Sequence, residues 1–159
     1  MHQVYIALGS NLQSPVAQLE KALSTLAELP QVTVKKTSPF YQSSPLGPQD
    51  QPDFINAVAL LETPLSAVEL LDILQSIENQ QGRIRLRHWG ERTLDLDILL
   101  FDNDIIKTPR LTVPHYAMCE REFVIIPLFD IAPALVLPTG ESVGELRKKF
   151  INHTMKAIQ

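Results

Sequence analysis

Apolar residues fall along this chain in patterns that predict four β-strands. Residues 3–8 are apolar and rich in β-forming side chains, which is typical of a buried strand ended by Gly9. Residues 32–41 begin with alternating valines and include an edge-type proline, which predicts a second strand. Residues 54–62 and 94–101 predict two more.

Other segments carry apolar residues at helical spacing. Ser14 and Pro15 are typical of an N-cap and a first-turn proline, and apolar positions then recur every three or four residues. Ser66 and Glu69 form a capping box before a second helix, which we expect Gly82 to terminate.

The order of these six elements, βαββαβ, predicts a ferredoxin-like α+β sandwich with both helices on one face of the sheet. Residues 120–129 and 142–150 predict extra C-terminal helices. A chain of 159 residues is typical of a single domain, here 1–159, with a sizeable core.

Net charge and cysteine content argue against several classes of protein. The formal net charge of −4 predicts no general attraction to nucleic acid or to acidic membranes, so an anion site has to be local. The single cysteine, Cys119, excludes an internal disulfide framework and is typical of a reducing compartment. We expect a cytoplasmic protein without a signal peptide or membrane span, monomeric by default.

Two aspartates, Asp95 and Asp97, interrupt the apolar strand 94–101. Side chains two positions apart on a strand share one face, roughly 6–7 Å apart, and paired carboxylates suit Mg²⁺ with its phosphate ligands. The alternative is a solvated face on an edge strand. We expect the alternate apolar positions to face the core: Leu94, Leu96, Ile98 and Leu100.

An arginine-rich segment, 82–92, directly precedes these aspartates. Arginine binds phosphate through a planar fork, and Trp89 offers a flat face for a heterocycle. The pattern favours a nucleoside triphosphate, a metal and a ring-shaped acceptor, although a solvated charge run is the alternative. The arginines are Arg83, Arg85, Arg87 and Arg92.

A third polar cluster lies in 110–123. Its side chains are suited to phosphate and ribose contacts, and the alternative is a loop with incidental polar residues. The members are Arg110, Thr112, His115, Tyr116 and Arg121.

With these residues in view, the sequence resembles the 6-hydroxymethyl-7,8-dihydropterin pyrophosphokinases of folate biosynthesis. The diagnostic stretch is HWGERTLDLDILLF at 88–101. Further motifs in order are ALGSN at 7–11, SPLGPQDQPDFINAV at 44–58, GRIR at 82–85, LTVPH at 111–115 and REFVIIPLFDIAP at 121–133. The resemblance implies transfer of pyrophosphate from ATP to the pterin hydroxymethyl group, with AMP as the second product.

The resemblance also implies site residues. Two Mg²⁺ ions would bridge Asp95, Asp97 and the triphosphate, and Arg83 and Arg92 would stabilise charge on the transferring group. The implied pterin pocket contains Ser43, Ser44, Pro45, Leu46, Phe54, Asn56, Trp89 and Phe123. The implied ATP contacts are Gln75, Glu78, Arg85, Trp89, Arg92, Ile98, Arg110, Thr112, His115, Tyr116 and Arg121.

Some positions depart from the family pattern, and other functions share parts of it. The family usually has arginine before the tryptophan, where this chain has His88, with Arg87 one position earlier; which of them fills that role stays open. Another metal-dependent nucleotidyl transferase or phosphohydrolase would share the aspartates and arginines but leave Asn56 unexplained. A ferredoxin-like RNA-binding module would use residues 83–92, but the acidic composition and the strand aspartates disfavour it.

Overall fold

A computed structural model describes residues 1–12, 14–44, 52–81 and 94–158. The elements, in chain order, are β1 (His2–Ser10), α1 (Pro15–Glu28), β2 (Thr33–Thr37), β3 (Tyr41–Ser43), β4 (Phe54–Thr63), α2 (Ala67–Gln80), β5 (Asp95–Phe101), β6 (Ile106–Lys107), β7 (Thr112–Val113), a 3₁₀ turn (Met118–Glu120), α3 (Glu122–Ile131), α4 (Val143–Lys148) and β8 (Lys156–Ala157).

The main sheet has the order β5-β1-β4-β3-β8, with β2 also paired to β4. Every strand pairing in the described ranges is antiparallel. This arrangement confirms the predicted ferredoxin-like sandwich. A separate hairpin is formed by β6 and β7, and β8 adds a short C-terminal strand beside β3.

The single strand predicted over 32–41 is divided into β2 and β3. Pro39 has no N–H to donate to the ladder, so the pairing is interrupted there. Ser38 bridges the gap, because its N–H donates to Val58 O at 2.9 Å and its hydroxyl accepts from Val58 N at 3.0 Å. The interruption makes β3 a separate short strand that borders the site described below.

Helices α1 and α2 pack on one face of the sheet, as predicted. Leu19 and Leu26 of α1 and Leu70 and Leu74 of α2 are buried in the same core as Leu61 of β4. The other face is covered by α3 and α4, which confirms the two C-terminal helices; Val124 and Leu128 belong to this second core. The sheet is thus buried on both faces.

The helix termini follow the predictions only in part. The capping box of α2 is present, with Ser66 N donating to Glu69 Oε1 at 2.9 Å and Glu69 N donating to Ser66 Oγ at 3.2 Å. Ser14 is the N-cap of α1 and Pro15 opens the helix, as predicted, but the backbone of Ser14 is left-handed (φ 61°) and its side chain makes no capping hydrogen bond. Gly82, the expected terminator of α2, lies outside the described residues.

A β-bulge changes the faces of β5. In its pairing with β1, Leu100 lies opposite Tyr5 but Ile98 lies opposite Ile6, so Leu99 is an extra residue. A bulge of one residue reverses the alternation beyond it. Leu94, Leu96 and Ile98 face the α1/α2 core as predicted, but the prediction for Leu100 is wrong: it packs in the α3/α4 core.

Candidate active site

The backbone register places four residues in one row across the sheet. Asp95 of β5 lies opposite Gly9 of β1, and Gly9 lies opposite Asn56 of β4. Asn56 in turn lies opposite Tyr41 of β3. Directly opposed residues project to the same face, and strands are about 4.8 Å apart, so Asp95 and Asn56 stand about 10 Å apart across the row.

One pocket opens over this row, on the face covered by α3. We call it the sheet pocket. Asp95 and Asp97 form one side of it, and Asn56 and Ser43 form the other. It is lined by Ala7, Leu8, Gly9, Ser43, Ser44, Phe54, Asn56, Asp95, Asp97, Leu99, His115, Arg121, Phe123 and Val124.

A second pocket lies between α2, β5 and the segment around the β6–β7 hairpin. We call it the hairpin pocket. Its charged side chains are those of Glu78, Asp97 and Arg110. It is lined by Leu71, Gln75, Glu78, Leu96, Asp97, Ile98, Thr108, Pro109, Arg110, Leu111, Thr112, His115 and Tyr116.

Asp97 and His115 line both pockets. The two cavities therefore meet at these side chains. Two molecules bound side by side would have their nearest ends at Asp97, with Asp95 on the sheet-pocket side. This is the geometry required for transfer of a group from one bound molecule to another.

Comparison with known proteins identifies the kind of transfer. A family model for 7,8-dihydro-6-hydroxymethylpterin-pyrophosphokinase (HPPK) matches residues 5–133. The chain belongs to this family.

Individual relatives agree with this pyrophosphokinase assignment. A 2-amino-4-hydroxy-6-hydroxymethyldihydropteridine pyrophosphokinase of Haemophilus influenzae is 61% identical over 155 residues, covering 98% of this chain and 97% of that protein. The enzyme of the same name from Pseudomonas aeruginosa is 53% identical over 146 residues, covering 92% and 90%. Family membership selects this function over the RNA-binding and generic transferase alternatives.

Solved structures of longer proteins share the fold of this chain. The crystal structure of wild-type Plasmodium falciparum HPPK-DHPS with pteroate superposes with a TM-score of 0.75 at 13% sequence identity. The match covers 94% of this chain and 42% of that longer chain. At this identity the likeness is one of fold alone.

Many residues that the resemblance assigned to the pyrophosphokinase site lie together. Five of the pterin residues line the sheet pocket: Ser43, Ser44, Phe54, Asn56 and Phe123. Seven of the ATP residues line the hairpin pocket: Gln75, Glu78, Ile98, Arg110, Thr112, His115 and Tyr116. Several predicted residues lie outside the described ranges: Pro45, Leu46, Arg83, Arg85, Arg87, His88, Trp89 and Arg92.

Arg121 was predicted as an ATP contact and lines the sheet pocket. Its guanidinium carbon lies 5.5 Å from the centroid of the Phe123 ring and 6.0 Å from that of Tyr116. A guanidinium at these distances is attracted to both ring faces. Arg121 therefore joins an aromatic ring of the sheet pocket to one of the hairpin pocket.

The carboxamide of Asn56 is held by its neighbours. Asn56 Nδ2 donates to Ser43 Oγ at 3.2 Å, and the residue is only 6% exposed. A Cβ atom built on Gly9 would lie 2.8 Å from Asn56 Oδ1, closer than real contacts allow. The absence of a side chain at Gly9 is what lets this carboxamide lie across β1.

Sequence reasoning missed Gly9 as a site residue. It treated Gly9 as the end of the first strand, whereas β1 continues through Ser10. A glycine inside a strand often marks close approach of another group. That signal was present in the ALGSN motif, but the approaching group, Asn56, is 47 positions away in the sequence.

Polar side chains of the hairpin pocket are paired with one another. Arg110 forms an ion pair with Asp72 at 2.7 Å, and its guanidinium also donates to Gln75 Oε1 at 3.0 Å. Exposed pairs of this kind contribute little free energy, so Arg110 can exchange them for a phosphate or ribose oxygen. Glu78 is buried, and its Oε2 accepts from Leu96 N at 2.7 Å, which ties α2 to β5 between the two aspartates.

His115 is held neutral at the junction of the pockets. Burial, and then the positive charge of Arg121, lower its pKa to about 4. Its backbone N–H donates to Leu99 O at 3.0 Å, its Nδ1 accepts from Ala117 N at 3.3 Å, and its ring stacks on Tyr116 at 4.8 Å. Because Nδ1 accepts, Nε2 carries the proton of the neutral ring and can act as a donor.

The paired carboxylates are suited to a magnesium site. Asp95 and Asp97 are half-buried on one face of β5 and line the same pocket. Mg²⁺ is usually bound through one or two carboxylates, with water and substrate phosphates completing its coordination. In the described ranges no group of three or more His, Cys, Asp or Glu side chains could hold a metal.

Gly9→Ala should weaken acceptor binding selectively. The added methyl group has to displace the Asn56 carboxamide, since their contact would be 2.8 Å. We expect pterin affinity to fall about tenfold or more, as for a lost hydrogen bond, while ATP affinity is retained. Titration calorimetry with each ligand measures both, and Gly144→Ala in α4 is the control, because its added Cβ would lie 3.6 Å from Pro133 O, an ordinary contact away from both pockets. Equal pterin affinity in Gly9→Ala and the unaltered chain would contradict this role.

His115 should make the protein less stable in mild acid. In the unfolded chain this residue binds a proton below about pH 6.5, whereas in the folded protein it binds one only below about pH 4. Between these values the unfolded state holds more protons, so the free energy of unfolding falls as pH falls through this window. Urea unfolding of the unaltered protein and of His115→Gln from pH 7 to pH 4.5 tests this. A pH dependence equal in both proteins would exclude His115 as its source.

Proposed function

We propose that the acceptor pterin binds in the sheet pocket and that ATP binds in the hairpin pocket. Pyrophosphate is transferred from ATP to the pterin beside Asp97, where the two pockets meet. The chain is a pyrophosphokinase of folate biosynthesis by family membership. The observation that carries our assignment of the two pockets is that they share Asp97 and His115.

In the reaction, the hydroxymethyl oxygen of the pterin bonds to the β-phosphorus of ATP. The bond between that phosphorus and the oxygen bridging to the α-phosphate breaks, AMP leaves, and the hydroxyl proton is released. There is little covalent work for the protein in such a transfer, so catalysis consists of positioning and charge stabilisation. The row from Asp95 to Asn56 provides the positioning for the acceptor.

The acceptor is recognised by the side-chain amide of Asn56 and by the aromatic rings of two phenylalanines. Asn56 presents a carboxamide, which can pair with the donor and acceptor edge of a pterin. Phe54 and Phe123 line the same pocket and are suited to packing on a flat heterocycle. Pro45, Leu46 and Trp89 are proposed as further pterin contacts on the resemblance alone.

ATP is recognised by the polar wall of the hairpin pocket. Arg110, Gln75 and Thr112 offer a guanidinium, a carboxamide and a hydroxyl to phosphate and ribose oxygens. Tyr116 is 78% exposed, so its side chain is accessible to a ligand. Arg83, Arg85 and Arg92 are proposed phosphate contacts that rest on the resemblance.

Asp95 and Asp97 are the proposed holders of magnesium, with two ions expected. Bound there, Mg²⁺ would neutralise triphosphate charge and lower the pKa of the attacking hydroxyl. The two carboxylates themselves orient the site, because both sit on a strand that is paired to β1 and tied to Glu78. Rigid strand positions keep the reacting groups aligned.

We also propose that the chain acts as a single domain, as a monomer and in the cytoplasm. The cytoplasmic assignment rests on the single cysteine in the sequence. Among the described residues, no helix has both the length and the apolar character that crossing a membrane requires.

The decisive test of the reaction is AMP formation from ATP and Mg²⁺ with and without 6-hydroxymethyl-7,8-dihydropterin. We expect AMP to appear only with the pterin, in equal amount to the pterin diphosphate, and to stop when EDTA removes the metal. ADP as product, or AMP released without pterin, would overturn the proposal and favour a different transferase or a hydrolase.

Asp97→Asn should lose activity far more than stability. The change removes one carboxylate from the pocket junction, and loss of one organised charged group typically costs about a hundredfold or more in turnover. The free energy of unfolding should change by no more than about 1 kcal/mol, since the side chain is half-buried. Turnover and urea unfolding are compared with Asp104→Asn, an exposed control. Unfolding as severe as the loss of turnover would point to a structural role instead.

A further inference from the structure

The sheet pocket has walls from two separate parts of the fold. One wall is formed by β3 and β4, which carry Ser43 and Asn56, and the other by the start of α3, which carries Phe123. The space between them has to match the thickness of a flat ring. Something must therefore set how closely α3 approaches the β3 edge of the sheet.

A hydrogen bond joins these two walls outside the pocket. The hydroxyl of Tyr41 donates to Oδ2 of Asp130, 89 positions later in the chain. Tyr41 lies two residues before Ser43 on β3 and directly opposite Asn56 on β4, so all three side chains share one face of the sheet. The Tyr41–Asp130 hydrogen bond thus begins on β3, beside the wall of the sheet pocket that Ser43 and Asn56 form.

The other end of the link lies on the same side of α3 as the pocket residue. Phe123 and Asp130 are seven residues apart, which is close to two helical turns, so their side chains project from one face of α3. Ile126 lies between them on this face and packs on Tyr41 in a small buried cluster that Phe123 borders. Pro127 lies between them and has no N–H to donate to Phe123 O, so movement of Asp130 relative to Tyr41 reaches Phe123 through the packing of Ile126 as well as through the helix backbone.

The surroundings of Tyr41 keep the link in place. Tyr41 is 9% exposed, and burial, followed by the hydrogen bond and the charge of Asp130, raises its pKa to about 12. The phenol therefore remains a donor throughout the neutral range. On its other side β8 pairs with β3, with Ala157 opposite Tyr41, and buried Met155 completes the cluster.

We propose that Tyr41 and Asp130 are positioning residues for the acceptor: their hydrogen bond sets the separation of Phe123 from the Ser43–Asn56 wall. The proposal rests on the function proposed above, because it assigns the sheet pocket to the pterin. Neither residue lines either pocket, so their effect on the ligand is indirect. ATP, in the hairpin pocket, should be insensitive to the link.

The test uses Tyr41→Phe, which removes only the hydroxyl oxygen, and Asp130→Ala, which removes the acceptor. Equilibrium binding of 6-hydroxymethylpterin is measured in the presence of a non-hydrolysable ATP analogue, and binding of the analogue is measured alone. We expect each variant to bind the pterin about three- to tenfold more weakly, the range for loss of one hydrogen bond, with unchanged analogue affinity. The double variant should lose no more than either single variant, because both remove the same link.

Two controls separate this role from a general loss of structure. Tyr5→Phe removes the same oxygen from the same face of the sheet, but at a position opposite Leu60 and not Asn56, and should leave pterin affinity unchanged. Asp130→Asn retains an acceptor and should restore part of the affinity lost in Asp130→Ala. Unchanged pterin affinity in Tyr41→Phe would overturn the proposal, as would an equal loss of pterin and analogue affinity. Failure of the unaltered chain to bind pterin would instead overturn the proposed function, and with it the role of the link.

Discussion

Hydrogen-bond register between β5, β1, β4 and β3 is the constraint on which this site depends. The row formed by Asp95, Gly9 and Asn56 exists only while each strand pairs in its observed register. A slip of one residue would turn both aspartates of β5 into the α1/α2 core, where an unpaired carboxylate is very costly. The apolar residues that alternate with them, such as Leu94 and Leu96, exclude that slip by occupying the core themselves. The same alternation of side chains along β5 therefore determines both the packing of the core and the geometry of the site.

Charge at the junction of the two pockets is balanced in a way that suits an anionic substrate. In the proposed arrangement a triphosphate binds beside the carboxylates of Asp95 and Asp97, so cations must offset the negative charge of both. His115 does not supply that charge, because burial and Arg121 hold its pKa well below neutrality. Positive charge must come from arginines and from bound metal. The imidazole of His115 is then a neutral hydrogen-bond donor, and only groups that are always charged offset the negative charge of the carboxylates and the triphosphate.

Local sequence signals predicted the parts of the fold that are locally determined. The capping box at Ser66 and the βαββαβ order along the chain were evident from short patterns, and that order implied two helices on one face. What could not be predicted depends on partners distant in sequence. The bulge at Leu99 is visible only once β5 is paired with β1, and it moves Leu100 to the opposite core. The same holds for the importance of Gly9, which follows from Asn56 on another strand.

The candidate site shows the same division. The aspartates and the clusters around Asn56 and His115 were recognisable by residue type and motif, and the described structure brings them to two adjoining pockets. The hydrogen bond between Tyr41 and Asp130 has no sequence signal, because a tyrosine in a short strand and an aspartate near the end of a helix are each ordinary. Only folding places the two side chains within bonding distance.

The close approach of Asn56 to Gly9 has a consequence for inhibitor design. At that point the wall of the pocket is main chain, and a side chain cannot be added without displacing the carboxamide of Asn56, the proposed acceptor contact. A compound that gains its affinity by lying against this stretch of backbone contacts a surface that point mutation cannot easily reshape. Resistance would have to arise from other parts of the pocket, where side chains can change while the natural substrate is still bound.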